Sequence, residues 1–319
     1  MTPAAPTFSV VIPAYQAAPY VADAVRSALE QTLEAHEVIV CDDGSTDDLD
    51  TALRPFVDRL TLLHRPHRGV AAARNAAVDA ASGEFVVMLD ADDVFERERL
   101  AALNELAGAK PDLDILATDL WYEEAGVRTR RYYELIEFPR ESQRLAILES
   151  CFVACPALRR SRVLEVGGFD ESLALGEDWD LFIRMVLAGS RAGLVDRPLL
   201  RYRMRPGSAT ADRPRALAAR VAVLQKTRLQ QRLTADERRF LDRCLTRARA
   251  RATLSRGQAL AVARPHGFRR SLASLAVASD VPADGRIGLV LSAVSSRTGR
   301  RLLARAERRV ARSRPSRSR

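Results

Sequence analysis

Phe85-Val86-Val87-Met88-Leu89 runs straight into Asp90-Ala91-Asp92-Asp93, so five consecutive apolar residues end in three carboxylates. An apolar run of this length behind the Ser82-Gly83 turn is the pattern of a strand buried on both faces. Upstream, Val70 to Ala80 reads as an alanine-rich helix and Leu60 to Leu63 as another strand. Val38 to Val40 is a third apolar run, and it ends in Cys41-Asp42-Asp43-Gly44-Ser45-Thr46-Asp47-Asp48. Before it, Val21, Ala24, Val25, Ala28 and Leu29 recur at helical spacing behind Pro19, and Phe8 to Ile12 is a β-rich run closed by Pro13. Alternating strand and helix predicts an α/β fold with a mainly parallel sheet, and such sheets bind ligands beyond the carboxyl ends of their strands.

Downstream of Leu113 to Ala117 the pattern loosens. Aromatic and charged residues alternate through Trp121 to Phe138, a helix is predicted from Ser142 to Cys151, and Gly167-Gly168-Phe169 makes a turn before a helix that begins near Glu177. Beyond Tyr202 the chain reads as arginine-, alanine- and leucine-rich helices separated at Pro214, Gly257, Pro265 and Gly285. The expected organisation is a domain over 1–205, a basic helical region over 206–311 and a disordered tail over 312–319.

Composition narrows the function classes. With 319 residues, 47% of them hydrophobic, the chain is long enough for a full-sized core. No apolar stretch approaches the ~20 residues that cross a bilayer, and Met1 to Pro6 lacks a secretion pattern. Cys41, Cys151, Cys155 and Cys244 have neither zinc-like pairing nor disulfide density, so buried, reduced thiols of a cytoplasmic protein are expected, although Cys151 and Cys155 stand at helical spacing ahead of Pro156. Charge is lopsided. Arg205 to Arg319 holds 28 Lys plus Arg against 7 Asp plus Glu, whereas the first 204 residues are net acidic.

The chemistry gathers where strands end. No G-x-G-x-x-G follows the first strand, which removes the fingerprint of a nicotinamide oxidoreductase. The carboxylates after Val40 can accept hydrogen bonds from a base or a ribose, and Tyr15 can offer a ring face; an Asx turn with a helix N-cap explains the same residues. The Asp-x-Asp pattern also occurs at Asp48/Asp50, Asp112/Asp114 and Asp178/Asp180, but only Asp90/Asp92 follows five apolar residues directly. Clustered carboxylates repel unless a cation compensates them, and Mg²⁺ or Mn²⁺ joins one or two carboxylates to phosphate oxygens. Glu177-Asp178-Trp179-Asp180-Leu181 opens a helix with an apolar face, where acidic residues also serve the helix dipole.

Taken together, Val10 to Tyr15, Asp42 to Asp47, Gly69 through Arg74-Asn75, Leu89 to Asp93, Gly167 to Glu171 and Glu177 to Leu181 resemble the family 2 glycosyltransferases of GT-A fold. The resemblance covers roughly Phe8 to Arg205. It implies an inverting enzyme that uses a nucleotide-diphosphate sugar donor and a glycan or lipid-linked acceptor, as in cell-surface polysaccharide or glycoconjugate synthesis. By resemblance, Pro13, Tyr15 and Asp43 hold the nucleobase, Asp90 lies near the ribose, and Asp92, with Asp90 beside it, binds Mn²⁺ or Mg²⁺. Arg74 and Asn75 border the nucleotide pocket, Asp178 is the catalytic base, and Glu177 and Trp179 line the acceptor region.

One departure concerns the end of that region. Relatives often carry a histidine after a Tyr-Arg pair, where Tyr202-Arg203-Met204-Arg205 has arginine; Arg205 cannot ligate a metal but can clamp phosphate. His36, His64 and His67 lack ligand spacing and read as loop or surface residues, while Trp121, Tyr122, Tyr132 and Tyr133 read either as a sugar-stacking wall or as packing. The basic rear, with Ile287 to Val294 as an amphipathic segment, suggests peripheral contact with anionic lipid at the inner membrane face. Three rivals remain: a metal-dependent nucleotidyltransferase, a catalytically silent binder of sugar nucleotides, and an arginine-rich nucleic-acid-binding protein. The last lacks aromatic interleaving and has an acidic front, so no nucleic-acid partner is expected.

Overall fold

The computed structural model describes residues 5–205 and 212–263, the side chains of 256–263 excepted. In chain order its elements are β1 (Phe8–Ala14), α1 (Ala18–Leu29), β2 (Glu37–Asp42), α2 (Leu49–Leu53), β3 (Thr61–His64), α3 (Val70–Ala80), β4 (Phe85–Met88), β5 (Val94–Phe95), α4 (Arg99–Ala109), β6 (Ile115–Glu124), β7 (Val127–Arg131), α5 (Gln143–Glu149), β8 (Ala157–Arg159), α6 (Arg160–Glu165), α7 (Glu177–Leu187), β9 (Ala192–Met204), α8 (Arg213–Gln230) and α9 (Ala235–Ala263). The chain divides into two compact units. One holds Met1–Ser208 with Lys226–Phe240; the other holds Ala209–Gln225 with Leu241–Arg319.

In the first unit one sheet runs β3-β2-β1-β4-β8-β6-β9-β5, with β7 paired to β6. Its β3, β2, β1 and β4 are mutually parallel, in a register that sets Ala14 beside Asp42 and Met88 beside Val11. The carboxyl ends of β1, β2 and β4 therefore open on one edge, and the residues that follow them face a common space. These strands form because their runs of Val, Ile and Phe are buried on both faces; each fully buried side chain of that size contributes about 1.5–3 kcal/mol. Antiparallel β8 pairs with both β4 and β6, and parallel β9 completes the far side against β6.

Several expectations are corrected here. Cys151 and Cys155 do not share a helix, because α5 ends at Glu149; both are only partly buried, while Cys41 and Cys244 are buried, and none of the four forms a disulfide. The segment before Tyr202, which carried no strand expectation, is the 13-residue β9. Pro214 lies in the first turn of α8 and Gly257 inside α9, so neither separates helices. Proline is tolerated in a first turn, and a single glycine costs a helix only about 1 kcal/mol.

The second unit contains most of α8 and α9, with Val223, Leu224, Leu241, Leu245 and Ala248 buried. None of the described helices is long and apolar enough to cross a membrane. Pro265, Gly285, the Ile287 to Val294 segment and the Arg312 to Arg319 tail lie outside the described residues.

Candidate active site

Arg74 is the centre of the site. It projects from α3, whose Ala71, Ala72, Ala73, Ala76 and Ala77 are buried, and small neighbours let this helix lie close enough to bring a guanidinium inside. Its Nη2 donates to Asp90 Oδ1 at 2.7 Å and its Nη1 to Glu177 Oε1 at 2.6 Å. The guanidinium thus ties the turn after β4 to the first turn of α7. It also lies 5.5 Å from the ring centroid of Phe169. Burial alone would weaken the positive charge, but Asp90, Glu177 and Asp178 overcome it and hold Arg74 more firmly protonated than usual. Glu177 is pushed up by burial, with Arg74 opposing and Asp178 reinforcing the shift. Asp178 is partly exposed and accepts from the backbone N–H of Trp179 at 2.6 Å.

Asp92 is held by a second guanidinium. Arg205, just past β9, donates Nε to Asp92 Oδ2 at 2.7 Å, a second nitrogen reaches the same oxygen, and the cation lies 4.6 Å from the Tyr20 ring centroid. Beside this pair opens a cavity of about 850 Å³ lined by Tyr20, Asp23, Glu123, Arg203, Met204 and Arg205, among others. Asp93 turns inward: its Oδ1 accepts from Arg203 N at 3.0 Å, and burial, then Asp90 and Asp92, push its carboxyl well above the usual range. Asp90 and Asp92 on this turn are both partly exposed, and they are carboxylates of the kind that a hard divalent cation binds.

At the neighbouring strand end the carboxylates are arranged differently. Asp43 is buried; its Oδ1 accepts from Arg68 N and its Oδ2 from Gly69 N, at 2.9 and 2.8 Å. Asp42 accepts from Ser45 N three residues on, and Asp47 accepts from Ala18 N at the start of α1. Gly44 sits at φ +75°, where a side chain would also strike the His67 backbone, so only glycine suits this turn. Pro13 is buried within β1, and Tyr15, just past it, is 48% exposed. The Tyr15 ring stacks on His67 at 4.1 Å, and His67 Nδ1 lies 2.8 Å from Asp43 Oδ2.

His67 is therefore a site residue that sequence reading set aside. The signal was positional: β3 runs parallel to β2, so the loop after His64 returns to the same edge. Asn75 proves to hold backbone. Its amide accepts from Phe169 N at 2.8 Å and donates to Phe169 O at 2.9 Å, and it fixes the Gly167-Gly168-Phe169 turn, where Gly168 sits at φ +68°. Arg184 and Lys226 fasten the same loop, through Gly168 O and Asp170. Trp179 is buried and donates its indole N–H to Ile147 O. Tyr132 and Tyr133 donate to the carbonyls of Cys151 and Phe152 and meet edge-to-face, which is packing rather than an open wall.

The buried Arg74 thus joins two acidic segments, Asp90 in the turn after β4 and Glu177 at the start of α7.

The profile described as Glycosyl transferase family 2 matches residues 9–168. The succinoglycan biosynthesis protein ExoU of Rhizobium meliloti is 33% identical over 264 residues, which cover 75% of this chain and 76% of that one. The chondroitin synthase of Pasteurella multocida is 31% identical over 188 residues, 58% of this chain and 19% of that one. An uncharacterized glycosyltransferase of Rickettsia conorii is 29% identical over 63% of this chain and 33% of its own, so the chain spans about a third or less of these two relatives. In fold it is similar to S. aureus TarS 1-349, solved in complex with UDP-GlcNAc (TM-score 0.63, 19% identity, 98% of this chain and 93% of that one). It is also similar to a mannosyltransferase of Pyrobaculum calidifontis solved with GDP-Man and Mn²⁺ (TM-score 0.60, 23% identity, 96% and 87%).

Proposed function

The chain belongs to glycosyl transferase family 2, and from that premise we propose that it transfers a sugar, with inversion, from a nucleotide-diphosphate donor to an acceptor hydroxyl during synthesis of a cell-surface polysaccharide or glycoconjugate. The observation that carries the reading is the Arg74 bridge, which brings the acidic turn after β4 and the start of α7 into one site. Donor and acceptor must meet within bond-forming distance, and a buried two-armed cation between those segments is a rigid way to fix their separation.

In this reading Tyr15, Pro13 and Asp43 receive the base, Asp90 the ribose, and Arg74 and Asn75 shape the donor pocket from below. Asp178 accepts the proton of the acceptor hydroxyl as its oxygen bonds to the anomeric carbon. The bond from that carbon to the phosphate oxygen breaks, and its electron pair leaves with the diphosphate. A positioned base of this kind contributes about 10²–10⁴-fold. Arg205, already beside Asp92, is placed to bind phosphate oxygens, while Glu177 and the buried Trp179 form the acceptor side. Mn²⁺ or Mg²⁺ held by Asp92 and Asp90 would neutralise charge on the leaving diphosphate. The same reading keeps 1–205 as the catalytic domain and 206–311 as a basic helical region, with 312–319 as a tail. It places the enzyme in the cytoplasm, peripheral to the inner membrane face.

The test is to incubate the full chain with a panel of nucleotide sugars and assay the released product. Nucleoside diphosphate is expected; pyrophosphate would move the assignment to a nucleotidyltransferase. Chelator should stop the release and Mn²⁺ or Mg²⁺ restore it, whereas full activity in chelator would remove the ion from the scheme.

A further inference from the structure

One group of side chains beside the acidic turn has a composition that a phosphate-bound Mg²⁺ or Mn²⁺ does not need. Asp90, Asp93 and Cys155 each place a ligand atom within 4.8 Å of the other two. A second observation points the same way. Asp93 is 1% exposed, and with Oδ1 engaged by Arg203 N, its buried Oδ2 is left without a hydrogen-bond partner among the described residues. A carboxyl oxygen withdrawn from water in this way is costly unless a proton or a cation meets it.

The backbone delivers the thiol to this cluster at some expense. Cys155 has φ +41°, an uncommon value for a residue other than glycine, and it precedes Pro156, which narrows its choices further. It is held there from both sides. Met88 N donates to Pro156 O at 3.1 Å as β8 begins to pair with β4, and the buried Arg99 donates to Cys155 O.

We propose that Asp90, Asp93 and Cys155 form a binding site for a thiophilic divalent cation, with Zn²⁺ as the type, distinct from the Asp92 carboxylate that Arg205 holds. One sulfur and two carboxylate oxygens suit Zn²⁺, at ~2.3 Å to sulfur and ~2.0–2.2 Å to oxygen, with a fourth tetrahedral position for water; Mg²⁺ prefers oxygen alone. Tetrahedral ligands at those bond lengths stand roughly 3.5 Å apart. Closing the set from its present spacing would take a rotation of these side chains. Asp90 can keep Arg74 on Oδ1 while its other oxygen turns to the metal, and a guanidinium on the outer oxygen orients the ligand. The site rests on these three side chains and not on the identity of the transferred sugar. Because Asp90 is shared, Zn²⁺ bound here should also oppose donor binding.

Metal-free full-length protein titrated with Co²⁺, as a spectroscopic stand-in for Zn²⁺, tests the site. One equivalent should bind with a thiolate-to-metal charge-transfer band, Zn²⁺ should displace it, and a large excess of Mg²⁺ should not. Cys155→Ser should remove the band and weaken Zn²⁺ binding by about 100-fold or more, since even outer partners of a metal ligand are worth 10–100-fold. Cys151→Ser, at the nearby partly buried thiol, should leave both unchanged. Zn²⁺ should also protect Cys155 of the wild-type chain from alkylation, read by mass spectrometry, which keeps the test independent of how the Cys155→Ser chain folds. Absence of the band, its persistence in Cys155→Ser, or alkylation of Cys155 at the same rate with and without Zn²⁺ would overturn the proposal. Binding of a nucleoside diphosphate, measured in parallel without Zn²⁺, separates failure of this site from failure of the glycosyltransferase assignment.

Discussion

Two acidic clusters stand at neighbouring strand ends and are held in opposite ways. After β2, Asp42, Asp43 and Asp47 accept from backbone N–H groups of Ser45, Arg68, Gly69 and Ala18, and His67 is an added partner of Asp43. After β4, Asp90 and Asp92 are held by guanidinium groups of Arg74 and Arg205, while Asp93 takes the backbone N–H of Arg203 on Oδ1 and leaves Oδ2 without a partner among the described residues. Main-chain donors are fixed by the fold, so the first cluster builds a turn that presents Tyr15. Guanidinium partners can be exchanged for another cation or shared with an anion, so the second cluster suits a ligand that arrives and leaves. Similar residue types thus have different uses according to whether their partners belong to the backbone.

That contrast can be broken most sharply at Asp178, whose Oδ1 accepts from the backbone N–H of its neighbour Trp179. Asp178→Asn should lower kcat by about 10²–10⁴-fold while nucleotide affinity, followed by calorimetry, stays near wild type; near-normal turnover would remove the base from the scheme. Next comes Arg74→Met, which leaves the buried Glu177 and the partly exposed Asp90 without their cation. Chemical denaturation should show a loss of about 3–5 kcal/mol, and Arg74→Lys should recover only part of it because an ammonium lacks the two-armed geometry. A loss under 1 kcal/mol would mean that the bridge is not structural.

For the first cluster, Asp43→Ala strands the N–H groups of Arg68 and Gly69 and should cost about 1–3 kcal/mol. Its nucleotide affinity should fall together with stability, because the same side chain shapes the turn. A loss of affinity in a fully stable protein would instead make Asp43 a ligand contact alone. The smallest effect is expected at Asp170, where the contacts of Lys226 and Ser172, outweighing burial, hold the carboxyl down at about 2. Its folded value lies below the unfolded one, so its stabilisation is present above about pH 4 and is lost as pH falls toward 2. Lys226→Met should flatten that part of the stability profile by of order 1 kcal/mol. Lys226 also meets buried Asp180, so an unchanged profile would mean that its charge serves Asp180 alone.

Legibility in the sequence followed local order. Helix α3 was readable from Val70 to Ala80, and the runs ending at Ile12, Val40 and Leu89 located three parallel strands, because buried parallel strands are continuous apolar segments. β9 was not readable: Asp196, Arg197 and Pro198 interrupt it, and its register against β6 shifts there. β8 has three residues, too few to carry a period. At the site, the acidic turn and the α7 start were visible as motifs, but their connection through Arg74 was not, since it joins residues 103 positions apart. His67 and Cys155 gave no local signal, and only the pairing of β3 with β2 and of β8 with β4 brings them to the edge.

The Arg74 bridge also bears on how the protein can be cut. The family profile stops at residue 168, one position before the Phe169 backbone that Asn75 clasps and nine before Glu177. A fragment trimmed to that border would keep Arg74 and Asn75 and discard Glu177 and the Phe169 backbone that they hold. Expression fragments should therefore extend through α7 and β9, so that Arg205 travels with Asp92.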